Sequence, residues 1–115
     1  MASRTASPLA HPNIDAVDVL TILGALSDPV RVGIVVRLMA EPGLACGGFY
    51  PHLTPSALTR HFRVLREAGV IHQHDSGNRR ENVLRKDELD RRFPGLIDLI
   101  VDEAAHDRIP GLPDK

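Results

Sequence analysis

Apolar residues return at helical spacing through NIDAVDVLTILGALS, at Val17, Leu20, Leu23 and Leu26. Asn13 suits the cap of such a helix, and Asp15 and Asp18 suit its positive N-terminus. The next stretch, SDPVRVGIVVRLMAEPG, is apolar nearly all round. Asp28 followed by Pro29 opens a helix, Pro42 and Gly43 close it, and the apolar girth predicts a buried central helix. A glycine-interrupted link, LACGGFYPHL, follows and is read as holding one short helix from Gly48 to Leu53. Thr54 then caps, Pro55 takes the first helical position, and Gly69 ends a helix over 55–68.

Past Gly69 the period changes. VIHQHDSGNRRENVLRK reads as two short strands around DSGNRR, a turn rich in Gly and Asn. DELDRRF supplies a helical turn or two, and after Pro94 and Gly95 the stretch LIDLIVDEAAH forms an amphipathic helix to about His106. Residues 1–12 read as a flexible N-terminal arm, 13–106 as one domain and 107–115 as a breaker-rich tail. The predicted fold class is mainly α with a small β-hairpin, in the element order of a winged helix-turn-helix with an added helix at each end.

On the helix over 55–68, about 100° per residue sets Ser56, Thr59, Arg60 and Arg63 on one face and Leu58, Phe62 and Leu65 on the other. His61 falls at the border and Arg66 on the opposite flank. The polar face suits a DNA major groove: arginine donates to guanine edges or phosphate, and the hydroxyls reach either. The helix dipole adds attraction for phosphate near Thr54 and Ser56. Arg79 and Arg80 sit at the hairpin turn, placed to reach the backbone or the minor groove. A solvated helix face and a solubilising turn explain each basic element singly; both at this spacing favour a groove. The candidate DNA contacts are Thr54, Ser56, Thr59, Arg60, His61, Arg63, Arg79 and Arg80.

Charge distribution agrees. The 115-residue chain has a net charge of −1, yet residues 54–86 hold seven Arg/Lys against three acids. The remainder holds seven against twelve. A basic stretch inside an acidic chain is the footprint of a polyanion-binding element. With no Trp, one Tyr and three Phe, the chain lacks the aromatic platforms that single-stranded nucleic acid needs. The longest apolar runs fall short of a membrane span and the N-terminus shows no signal-peptide pattern, so the expected place is the cytoplasm. A single cysteine, Cys46, fits a reducing compartment. There is no phosphate loop and no nucleophile–base motif, so no enzyme is expected.

Three stretches, ILGALSDPVRVGIVVRL, TPSALTRHFRVLREAGVI and GNRRENVLRKDELDRRFPGLID, together resemble the ArsR-type (ArsR/SmtB) family of small bacterial winged-helix transcription regulators. The resemblance covers most of residues 21–98. It implies a homodimer paired through the first and last helices, binding an imperfect inverted repeat on double-stranded DNA and usually repressing. The wide apolar face of Leu96, Ile97, Leu99, Ile100, Val101 and Ala104 independently supports a dimer.

An effector is less defined. Metal-sensing relatives carry Cys-x-Cys near LACGGF, whereas here a glycine replaces the second thiol. Cys46 is left as inert packing, a single-thiol redox sensor or an intersubunit bond. Asp98, Asp102 and His106 share a helix face beside Glu103, and His72 and His74 share a strand face. Asp102, His106, His72 and His74 are therefore candidate ligands for a divalent transition metal, zinc or nickel, with His11 as a supplement. The alternatives to a plain DNA-binding repressor are a metal-responsive derepressor, a redox sensor through Cys46, and a winged-helix module that binds protein instead of DNA.

Overall fold

The computed structural model of the chain describes residues 9–45 and 49–113. Its regular structure is mainly helical, with one two-stranded antiparallel hairpin. The first helix departs from the sequence pattern. Asn13 caps only a 3-10 turn over Ile14–Ala16, Val17 is extended, and Asp18 then caps α1 (Val19–Ala25) by accepting the Thr21 N–H at 2.9 Å. Two capping side chains close in sequence compete for the backbone, and two short elements replace one helix. The break resets the helical phase. Ile22 and Ala25 of α1 enter the core, while Leu20 and Leu23 stay outside, Leu20 at 75% exposure.

Helix α2 (Pro29–Ala40) forms as expected, with the Asp28 carboxylate accepting from the N–H groups of Val30 and Arg31. It buries Val32, Ile34, Val35 and Leu38 and packs against later elements on several sides. Gly33 is required there: the Tyr50 hydroxyl occupies the space a Cβ would take. Helices α1 and α2 meet at 97°, and no single helix among the described residues is long and apolar enough to cross a membrane.

The short helix expected from Gly48 to Leu53 is a turn over its described part, with the Leu53 N–H bonded to the Tyr50 carbonyl at 3.0 Å. Gly48 itself lies outside the described residues. Tyr50 precedes Pro51, which disfavours the helical conformation, and it adopts φ +31°. Burial of Phe49 and Tyr50 holds this turn in the core. Just before it, Gly43 and Leu44 exchange backbone hydrogen bonds with Asn82, and Ala45 bridges to Glu81.

Helix α3 spans Pro55–Ala68, with Thr54 as cap and Gly69 in the left-handed conformation (φ +89°) as its stop. Strands β1 (Ile71–Ser76) and β2 (Arg79–Leu84) follow, in a register that pairs Ile71 with Leu84 and Ser76 with Arg79. Residues 43–45 line the outer edge of β2. Helix α4 (Lys86–Arg92) and helix α5 (Leu96–Ala105) complete the fold. Ile14, Ile22, Ile34, Leu38, Phe62, Leu65, Ile71, Leu84, Leu89 and Ile97, all buried, join all the elements into one core.

Both ends of the expected domain extend further than the apolar periodicity indicates. Arg85 donates to the Pro12 carbonyl at 2.9 Å, and Arg92 donates to the carbonyls of Ile14 and Val17. The described end of the predicted arm is thus docked. In the tail, Arg108 pairs with Glu103 at 3.2 Å, and Gly111 and Pro113 lie close to Pro29 and Gly33 of α2.

Candidate nucleic-acid interface

Helix α3 divides as its sequence period requires. Leu58, Phe62, Leu65 and Ala68 are buried, while Ser56, Thr59, Arg60, Arg63 and Glu67 are exposed. Thr54 Oγ1 accepts the Ala57 N–H at 3.2 Å and lies 3.4 Å from Ser56 Oγ. Thr54 is therefore spent on the cap, with Ser56 beside it at the positive end of the helix.

Among the described lysines and arginines, Arg60 and Arg63 alone have neither a hydrogen bond nor an ion pair. Glu67 follows Arg63 by four positions, but an acid C-terminal to its base is the weaker arrangement on a helix, and the pair does not form. Two guanidinium groups thus stand in solvent on one face, next to two hydroxyls.

His61 is placed differently. Arg31, a donor only, bonds to His61 Nδ1 at 3.1 Å, so the imidazole is the acceptor and is tied to α2. Burial, and then the charges of Arg31 and Arg60, lower its pKa, while Asp28 opposes them. His61 is a neutral strut at the flank of the polar face rather than a cation offered to phosphate.

The hairpin carries Arg79 and Arg80 beside the Gly77–Asn78 turn, but both are paired. The register sets Asp75 opposite Arg80, whose Nε donates to the carboxylate at 3.1 Å. Arg79 lies 3.7 Å from Glu81, which also accepts from His74 at 3.1 Å. Exposed pairs of this kind contribute about 0–1 kcal/mol each, so a phosphate can displace the acid.

Between α3 and the hairpin lies a cleft of about 290 Å³, lined by Thr59, Phe62, Arg66, Gln73, Asp75, Asn78, Arg79 and Arg80. Its base is held by a chain of hydrogen bonds. Arg66 Nη1 donates to Gln73 Oε1 at 2.7 Å, Gln73 Nε2 to Asn82 Oδ1 at 2.7 Å, and Asn82 Nδ2 to the Leu44 carbonyl at 2.9 Å. Sequence reasoning missed Gln73 and Asn82, which are buried. A signal was present: each lies two residues from a core position, Ile71 or Leu84, and therefore on the inward phase of its strand.

The candidate metal ligands do not assemble. Asp102 and His106 are exposed neighbours whose main link is His106 Nδ1 to the Asp102 carbonyl at 2.8 Å. That bond, and then the Asp102 charge, raise the His106 pKa. Asp98 pairs with Lys86 at 3.1 Å and Glu103 with Arg108. The His72 and His74 rings are 6.2 Å apart and tilted, and His74 is bonded to Glu81. Among the described residues, no three His, Cys, Asp or Glu side chains converge on a point that could hold a metal ion. Cys46 lies outside the described residues.

No protein-family model matches the chain, and no curated protein matches it.

Proposed function

We propose that this chain is a sequence-specific, double-stranded DNA-binding regulator: a cytoplasmic winged helix-turn-helix repressor of ArsR type, acting as a homodimer on an inverted repeat. One observation carries the reading. Arg60 and Arg63 are exposed and unpaired on the face that also holds Ser56 and Thr59, while the other described basic side chains have partners. An arginine without an internal partner exchanges only water for a guanine edge or a phosphate, so no existing pair has to be broken. Helix α3 then enters the major groove, the hairpin follows the backbone, and the cleft between them takes the sugar-phosphate strand.

The second copy is supported by apolar surface. Val19, Leu20 and Leu23 of α1 and Leu99 of α5 are exposed, Leu99 at 56%. A two-fold dimer through these two helices covers that surface and sets two copies of α3 against two half-sites.

The test is fluorescence anisotropy with a duplex from the region upstream of the protein's own gene. Binding should weaken steeply with added salt, because phosphate contacts release counterions. The Arg60→Ala/Arg63→Ala double variant should lose sequence preference as well as affinity. Unchanged operator binding by that variant rejects α3 as the reading element. A protein-binding module of the same fold would show no salt-dependent association with the duplex at all.

A further inference from the structure

The outer edge of β1 is met by a histidine from the N-terminal segment. His11 Nε2 accepts the backbone N–H of Gln73 at 3.0 Å. The ring stacks on His72, with centroids 3.9 Å apart and planes 9° from parallel. It also bonds to the Leu9 backbone. Next along the chain, the Pro12 carbonyl accepts from Arg85, so residues 9–12 lie along the strand edge.

These bonds require one protonation state. A ring nitrogen that accepts an N–H carries no proton, so a ring accepting at Nε2 is neutral imidazole. A proton added at Nε2 would face the Gln73 N–H, donor against donor. The surrounding charges oppose it too: His72 lies on β1, Arg66 on α3, and Arg85 just ahead of α4. Glu88 of α4 faces the same side, near His72, but Arg85 holds its two oxygens at 2.8 and 3.0 Å.

We propose that His11 is a proton-operated latch: neutral, it fastens residues 9–12 to the edge of β1, and protonated, it releases them. The residue it grips is Gln73, whose side chain joins α3 to β2 at the base of the cleft. Release therefore acts at the root of the hairpin.

The sign follows from proton counting. Burial first, then His72, with smaller effects from Arg66 and Arg85, lower the His11 pKa from its ordinary value of about 6.5, against the Leu9 backbone, which raises it. The docked segment thus binds fewer protons than the free one, and docking strengthens as pH rises. It is complete above about pH 6.5 and lost as pH falls below that.

The latch involves no nucleic acid, so its test stands apart from the DNA-binding proposal. Amide hydrogen exchange by NMR, corrected for intrinsic rates, is compared at about pH 8 and about pH 5. Protection of the Gln73 amide should fall several-fold at the acid value, while the Asn82 amide, bonded to the Leu44 carbonyl, holds. His11→Gln places a non-titrating amide oxygen where Nε2 stood and should make Gln73 protection independent of pH. His11→Phe keeps a stacking ring without the acceptor and should leave Gln73 weakly protected at both values. Equal Gln73 protection at both pH values in the unaltered chain overturns the latch, as does an acid loss that persists in His11→Gln.

Discussion

Helix α3 and the hairpin each offer two candidate DNA-contacting arginines, yet only the helix leaves them free. Arg60 and Arg63 have no partner among the described residues, whereas Arg79 and Arg80 are matched with Glu81 and Asp75. Periodicity makes the difference. On a helix, a base meets residues three and four away, and α3 supplies only Glu67 there, in the weaker order. In an antiparallel pair, a base meets whatever stands directly across, within about 5 Å, and the register puts Asp75 across from Arg80. Equal residue composition therefore gives unequal readiness: the helix can take an anion at once, and the hairpin must first surrender one.

If that contrast governs binding, the largest effect belongs to the helix. Arg60→Ala and Arg63→Ala should each cost about 1–3 kcal/mol of operator affinity, roughly tenfold or more apiece, with relaxed base preference where a guanine edge is contacted. Anisotropy titrations against specific and scrambled duplexes measure both. The next effect concerns how the two regions are held together. Asn82→Leu removes the acceptor of the Gln73 side-chain amide and one of the two donors to the Leu44 carbonyl, and should lower stability by about 1–3 kcal/mol in denaturant unfolding. It should also cut the Arg66–Gln73 chain that sets the hairpin against α3, so specific binding should fall even under conditions where the variant is fully folded. An Asn82→Leu variant of unchanged stability would mean that the chain of hydrogen bonds does not brace the cleft.

The contrast was partly legible beforehand. The polar face of α3 followed from its period, because Thr54, Pro55 and Gly69 fixed its ends and phase without help from the rest of the fold. The hairpin was equally visible in its turn residues. What the sequence hid was partnership. Asp75 becomes the partner of Arg80 only once a two-residue turn fixes the register, and Glu81 meets Arg79 two residues along the same strand only once β2 is extended. His61 lay at the border of the face, but its bond to Arg31 depends on how α2 crosses α3. The misreading of α1 was local: Asp18, taken as a helpful charge within one helix, instead caps a second element. That break turned Leu20 and Leu23 outward, into the apolar surface from which a second copy is proposed.

Removing the hairpin arginines should matter less than removing those of the helix. Arg79→Ala with Arg80→Ala should weaken all duplexes about equally, by about 1 kcal/mol or less, since each side chain gives up an exposed pair to reach phosphate. The slope of affinity against salt should flatten by about one for each phosphate that is no longer neutralised. A loss of base preference in this double variant would put sequence reading in the hairpin.

The smallest expected effect tests the cause of the inequality itself. Asp75→Asn keeps the size and hydrogen-bonding capacity of the residue across from Arg80 but removes its charge. If the hairpin is weak because its arginines are already neutralised, this change should raise affinity a few-fold at low ionic strength. The gain should fade at high salt, where exposed charges are screened. Repeating the substitution in an Arg80→Ala background separates two origins. A gain that shrinks there came from releasing Arg80, while a gain of full size came only from removing a negative charge near DNA. In the second case the paired arginine was never the limiting group, and the difference between helix and hairpin must lie in how closely each approaches the duplex.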